Sequence, residues 1–174
     1  MSFRKLLIAN RGEIAIRIAR ATAEEGLTSV AIYPADDALS LHVRAADEAR
    51  EIPGRGARAY LDIENVVAAA KAASCDALHP GYGFLSENAD LARRCAEEGI
   101  VFVGPNPSAL KLFGDKVEAK ALAKRCGVPI IEGTVGPTTL EEAKAFFASL
   151  GKGGAVMIKA MAGGGGRGMR VVED

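Results

Sequence analysis

The chain has 174 residues, 49% apolar and 25% charged, enough to bury the core of one ordinary domain and part of a second. Its 22 basic and 22 acidic residues cancel to a formal net charge of zero, so bulk charge draws it neither to nucleic acid nor to a membrane surface. No apolar run approaches the roughly 18 residues of a membrane span, and the apolar opening, broken at Asn10 and Arg11, is too brief for a signal peptide.

In chain order, Lys5 to Ala9 reads as a short buried strand and Asn10-Arg11-Gly12 as a turn. A helix over Glu13 to Glu25 follows, with Ile14, Ile18 and Ala21 at helical spacing and Gly26 as its C-cap. Thr28 to Tyr33 is the next strand, stopped by Pro34 and Asp36-Asp37. Leu41 to Ala46 is a short helix and Ala49 to Ile52 a short strand. The pattern then repeats: helix over Ile63 to Ala73, strand over Asp76 to Leu78, helix over Asn88 to Glu98 closed by Gly99. Ile100 to Val103 is the clearest strand of the chain. This alternation predicts βαβ units around a parallel sheet, a Rossmann-like α/β domain over residues 1–113.

After Gly104-Pro105-Asn106-Pro107 come helices over Ser108 to Phe113 and Lys116 to Cys126, with residues 114–130 read as a helical linker. Thr139 to Leu150 is an amphipathic helix whose Leu140, Ala143, Phe146, Phe147 and Leu150 are expected to face inward. Val156 to Ala160 and Met169 to Val172 are strands on either side of a glycine loop. Two strands and one helix cannot bury a core of their own, so residues 131–174 read as the incomplete opening of a second domain.

Glycine is the compositional outlier: 20 residues, about 11%, against an ordinary share of about 7%. Five of the six residues from Gly163 to Gly168 are glycine, an entropically costly choice for a plain hairpin. Its backbone N–H groups can close around an anionic group. A strand follows where a dinucleotide fingerprint requires a helix, and Met169-Arg170 stand where a Walker loop has Lys-Ser/Thr. What remains is a strand–loop–strand clamp over phosphates, or else a flexible hairpin. Lys159, on the strand entering the loop, is either a phosphate ligand or a solvated lysine. Asp115 and Glu118 have the spacing of a capping box. That puts Lys116 in a first helical turn, where the helix dipole disfavours a cation unless an anion is near.

The loop His79-Pro80-Gly81-Tyr82-Gly83-Phe84-Leu85-Ser86-Glu87-Asn88 follows a strand and enters a helix, the position that lines the crevice of an open α/β sheet. It offers Tyr82 and Glu87, or else is a structural turn with a buried His79. The opening Ile8-Ala9-Asn10-Arg11-Gly12-Glu13-Ile14-Ala15 is too poor in glycine for a nucleotide loop and reads as local packing. Cys75, Cys95 and Cys126, with only His42 and His79 beside them, assemble no zinc-type cluster. They read as reduced cysteines, and no metal ligand is assigned.

Together, IANRGEIAIRI, HPGYGFLSEN, FVGP, GDKVEAK and MIKAMAGGGGRGMRVV resemble the N-terminal part of biotin carboxylases, with the motifs in family order over the whole chain. These are the ATP-grasp components of biotin-dependent acyl-CoA (acetyl- or propionyl-CoA), pyruvate and urea carboxylases. The resemblance implies a ligase that makes carboxyphosphate from ATP and bicarbonate, with Mg²⁺ or Mn²⁺, and then carboxylates N1 of biotin on a carrier. It implies that Lys116, Lys159, Gly165, Gly166 and Met169 bind ATP under a mobile lid, and that Tyr82 and Glu87 approach the biotin side of the cleft. Metal ligands and catalytic residues are expected beyond Asp174, so the chain reads as an inactive fragment of a longer carboxylase. Implied partners are the biotin carboxyl carrier and carboxyltransferase domains or subunits and further copies of the full-length protein, with no nucleic acid and no membrane. With a strand from residue 5 and no room for a transit peptide, a cytoplasmic protein is expected. Two rivals stand: another ATP-grasp ligase of carbamoyl phosphate or purine-pathway type, and a non-catalytic α/β module that binds a nucleotide or a partner.

Overall fold

A computed structural model describes residues 3–134, 136–160 and 168–173. The chain divides into two units, Met1–Asp115 and Lys116–Asp174.

In the first unit the elements run β1 (Lys5–Ile8), α1 (Gly12–Glu24), β2 (Thr28–Tyr33), α2 (Leu41–Ala45), β3 (Glu48–Glu51), α3 (Gly56–Ala59), α4 (Ile63–Ala72), β4 (Ala77–His79), α5 (Ala89–Glu97), β5 (Val101–Phe102) and α6 (Pro107–Gly114). The five strands form one sheet in the order β3-β2-β1-β4-β5, and every pairing is parallel. Central β1 is apolar on both faces because helices cover both. On one side Leu7, Val30, Ile32 and Leu78 pack with Val66, Ala70, Leu91 and Cys95. On the other Ile8 meets Ala15 and Ala19 of α1. Small residues along α1 let that helix lie close to the sheet. The Asp76 carboxylate accepts the backbone N–H groups of Arg4 and Lys5 at 2.9–3.1 Å, fixing β1 beside β4 at the sheet's amino end.

The starts of α4, α5 and α6 follow cap chemistry. Asp62, Asn88 and Asn106 each accept the backbone N–H three residues on. The expected strand over Ile100 to Val103 is shorter in the structure: only Val101 and Phe102 pair, at the sheet edge, against a three-residue β4. Ile100 instead turns into the core, at 5% exposure. The strand expected at Asp76 to Leu78 lies one residue later and takes in His79, whose carbonyl accepts the Ala9 N–H at 2.9 Å.

The second unit holds α7 (Lys116–Arg125), α8 (Leu140–Ser149) and an antiparallel hairpin of β6 (Val156–Lys159) and β7 (Met169–Val172). Thr139 and Glu142 close a reciprocal capping box on α8. The inward stripe expected of α8 is only partly realised. Ala143, Phe146 and Phe147 are half-buried, while Leu140 and Leu150, at the two ends of the stripe, are 64% and 37% exposed. An apolar stripe is buried only where another element covers it, and no residue of α8 is fully buried.

His42, 2% exposed, lies against the first unit's core. Its Nε2 sits 3.2 Å from the Ile32 carbonyl oxygen and therefore carries the proton, while Nδ1 has no partner among the described residues. A second proton would bury a cation whose new N–H meets no acceptor. Burial pulls His42 below the ordinary imidazole value near 6.5, against the opposing pull of the Ile32 bond and of Asp37; Arg11 lowers it further. Burial lowers His79 as well. The unfolded chain thus binds more protons below that value, and stability is lost as pH falls through and beneath it. The urea midpoint is expected to drop between pH 7.5 and 5.5, with a shallower slope in His42→Phe. Equal slopes in the two proteins would exclude His42 as a source.

Candidate functional site

The strands are added outward from β1 toward β3 and then, on its other side, from β4 to β5. The strand order therefore reverses between the parallel neighbours β1 and β4, and the loops leaving their carboxyl ends open a crevice. The β1 loop supplies Asn10, which is fully buried. Its Nδ2 donates to the carbonyls of Pro80 at 2.7 Å and Tyr82 at 3.0 Å, and its Oδ1 accepts the Arg11 N–H at 2.9 Å. A single side-chain amide thus ties the two loops. Gly81 lies between its two carbonyl anchors with φ +69°, and a Cβ there would stand 2.6 Å from Ile14 Cγ2 and 2.8 Å from Asn10 Nδ2. Only glycine fits both the conformation and the space. The Gly81 N–H donates to His79 Nδ1 at 3.0 Å, so the neutral ring carries its proton on Nε2.

Tyr82 projects from this loop, 59% exposed, and its hydroxyl donates to Glu13 Oε1 in the first turn of α1. It rims a groove of about 440 Å³ lined mainly by apolar side chains, among them Leu6, Ile14, Ile18 and Val103, with His79 beside them. Glu87, at the far end of the same loop, lines a different and smaller hollow of about 170 Å³ with Ala109, Leu110 and Phe113 of α6. The loop therefore presents the two residues singled out in the sequence to separate depressions.

A second anchor holds the loop from the β2 side. Phe84, at φ +40°, stacks on buried Tyr60 with ring centroids 5.4 Å apart. The Tyr60 hydroxyl donates to Asp37 at 2.8 Å, Ser40 donates to the same carboxylate, and Arg11 pairs with it at 3.3 Å. Burial would raise the Asp37 carboxyl, but the bonds from Ser40 and Tyr60 and the charge of Arg11 hold it below its usual value. Burial and the bond to Asp37 push the Tyr60 hydroxyl far upward, so it remains a donor. Asn10 and Glu13 belong to the opening segment that reads as local packing, and Asp37, Tyr60 and Phe84 carry no site signal in the sequence; the one local cue is Asn10, a polar residue at the end of an apolar strand.

In the second unit Lys116 is the first residue of α7, with Asp115 extended just before it. Lys159 is exposed at the end of β6, and Met169 stands directly opposite it in the hairpin. Val156 is half-buried and Met157, Ile158 and Lys159 are all exposed, so neither hairpin face is covered. Gly168, at φ +72°, accepts the Ala160 N–H through its carbonyl at 2.8 Å, and a Cβ on it would meet Ala160 Cβ at 2.8 Å. Gly165 and Gly166 lie outside the described residues. Among the described residues no three His, Cys, Asp or Glu side chains gather to hold a metal ion, and no helix is long and apolar enough to cross a membrane.

The family model for the biotin carboxylase N-terminal domain matches residues 2–110, and that for the ATP-binding domain of the carbamoyl-phosphate synthase L chain matches residues 115–174. Pyruvate carboxylase of Bacillus subtilis is 52% identical over 176 residues, 99% of this chain and 15% of that protein. The biotin carboxylase domain of a single-chain bacterial carboxylase superposes with TM-score 0.88 at 54% identity, covering 98% of this chain and 37% of that one. The biotin carboxylase domain of Hydrogenobacter thermophilus 2-oxoglutarate carboxylase, a dimer solved with MgADP, ADP and bicarbonate, gives TM-score 0.91 at 44% identity over 100% of this chain and 38% of that one. The chain thus spans about one seventh of the pyruvate carboxylase it resembles.

Replacing Gly81 by alanine forces a left-handed backbone on a side chain that has no room. A loss of about 2–4 kcal/mol in urea unfolding is expected. A loss under about 1 kcal/mol would mean that the loop can move off Asn10 at little cost.

Proposed function

The chain belongs to the biotin carboxylase N-terminal domain family, and from that premise we propose that it supplies the sheet domain and the first part of the nucleotide clamp of a biotin-dependent carboxylase. The observation that carries this is the order of its parts. A biotin-carboxylase-type sheet domain runs directly into an ATP-binding sequence, in which a hairpin sets Lys159 and Met169 side by side before and after the glycine run. The domain organisation proposed is a Rossmann-like domain over 1–113, a helical connection over 114–130 and the opening of an ATP-grasp lid from 131 onward.

In this reading the ammonium groups of Lys116 and Lys159 pair with ATP phosphate oxygens, and Gly165, Gly166 and Met169 lie over the nucleotide. Charge develops as the γ-phosphoryl group passes to bicarbonate, and fixed cations and N–H donors offset it. Closure of the glycine run keeps water from the carboxyphosphate formed. Tyr82 and Glu87, on the loop after β4, approach the biotin side of the cleft from two neighbouring hollows, with biotin delivered by its carrier. Mg²⁺ has no ligand set among the described residues, and none of these roles runs through it. The carrier and carboxyltransferase parts, and a homo-oligomer, are the proposed partners. The match over residues 2–110 speaks for this reading over a carbamoyl phosphate or purine-pathway ligase.

In the longer enzyme carrying this chain, Lys159→Ala is expected to lower kcat/KM for ATP more than tenfold, the effect of removing a charge-assisted contact from a desolvated site. Tyr82→Ala is expected to raise the KM for free biotin more than the KM for ATP. Steady-state kinetics with each substrate varied checks both. Unchanged ATP kinetics would remove Lys159 from the site, and equal changes in the two KM values would reduce the β4 loop to a structural turn.

A further inference from the structure

We propose that Glu13 and Asn10 are positioning residues for Tyr82, so that the turn after β1 sets where the Tyr82 ring stands in the crevice. The inference rests on the reading of Tyr82 as facing biotin. The local chain does not fix this ring: Tyr82 lies between Gly81 and Gly83, both left-handed at φ +69° and +70°, and its side chain is 59% exposed. Glycines on either side leave the backbone free to swing, and an exposed tyrosine explores its rotamers on the ps–ns timescale.

Its anchors come instead from a segment some seventy residues away in sequence. Asn10 Nδ2 holds the Tyr82 carbonyl at 3.0 Å and the Pro80 carbonyl at 2.7 Å, with both amide protons used. Gly81 sits against the same amide, too close for any side chain. Glu13 then takes the hydroxyl at the other end of the ring. Residue 82 is thus gripped at its main chain and at its tip by groups three residues apart across one strand–turn–helix. Glu13 lies in the first turn of α1, where a carboxylate is favoured by the helix dipole. The bond to Glu13 also raises the Tyr82 hydroxyl, which keeps it a donor.

A bond between exposed groups adds little to stability, so its loss acts on ring placement more than on folding. The test is made in the full-length carboxylase with free biotin as the varied substrate, and thermal unfolding is measured for every variant. Glu13→Ala and Tyr82→Phe are each expected to raise the biotin KM about fivefold, the size of one lost hydrogen bond, and to lower kcat less than they raise KM. The double variant is expected to lose no more than either single one, since both remove the same contact. Glu13→Gln, whose amide oxygen still accepts the hydroxyl, is expected to stay within about twofold of the parent, as a retained acceptor requires. An unmoved biotin KM in Glu13→Ala beside a raised one in Tyr82→Ala would overturn the positioning role alone, as would fully additive losses in the double variant. An unmoved KM in Tyr82→Ala would instead overturn the biotin-facing reading beneath it.

Discussion

The Asn10 side chain has no access to water, so its amide must find its partners inside the fold or leave buried donors unsatisfied, at about 1–3 kcal/mol each. It finds them in two carbonyls of a loop seventy residues away. That requirement fixes where the loop leaves β4, forces glycine at position 81, and delivers Tyr82 to the rim of the groove beside α1. Parallel strands β1 and β4 are neighbours by topology. The amide converts that adjacency into a defined geometry at their carboxyl ends.

A second constraint works from the β2 side. Asp37 collects bonds from Ser40, Tyr60 and Arg11, and Tyr60 carries Phe84 on its ring. The carboxylate is thereby occupied by the protein's own donors. An acidic residue just beyond the second strand of a Rossmann-like sheet suggests a ribose ligand, but here the group serves as a tie between the loops after β1, β2 and β4. His42 packs into the same cluster with its Nε2 toward Ile32. The satisfied groups of this cluster, Asp37, Ser40, Tyr60 and Arg11, specify one arrangement of the loops, because each displaced member strands another.

The second unit has a different character. Its hairpin leaves Met157, Ile158, Met169 and Val171 between 43% and 51% exposed, and α7 and α8 contain no buried residue. Two strands pair their backbones but cannot cover their own side chains. The relatives it matches are much longer, and this chain spans 37% and 38% of the two solved ones. Lys159 owes its exposure to this open hairpin, and the lysine and Met169 are set opposite each other by register alone.

Periodicity was sufficient for the architecture. Apolar runs such as Thr28 to Tyr33 and caps such as Asp62, Asn88 and Asn106 act over a few residues, so strands, helices and a parallel sheet followed from the sequence, as did the family resemblance of the five motifs. Lys159 and Met169 were legible as residues flanking a glycine run, since strand, loop and strand are also local. Local patterns could not tell that Val101 and Phe102 alone would pair at the sheet edge, or that Leu140 would stay exposed, because both depend on what neighbouring elements offer. Nor could they give a role to Asn10, Glu13 or Tyr60. Those residues act through hydrogen bonds and ring contacts that span from 23 to 72 positions of chain, and only folding brings such partners within reach. The sequence by itself determined the sheet, its helices and the glycine-flanked hairpin. The tertiary structure decided which loop holds Tyr82, because a buried amide must be satisfied by whatever the fold sets beside it.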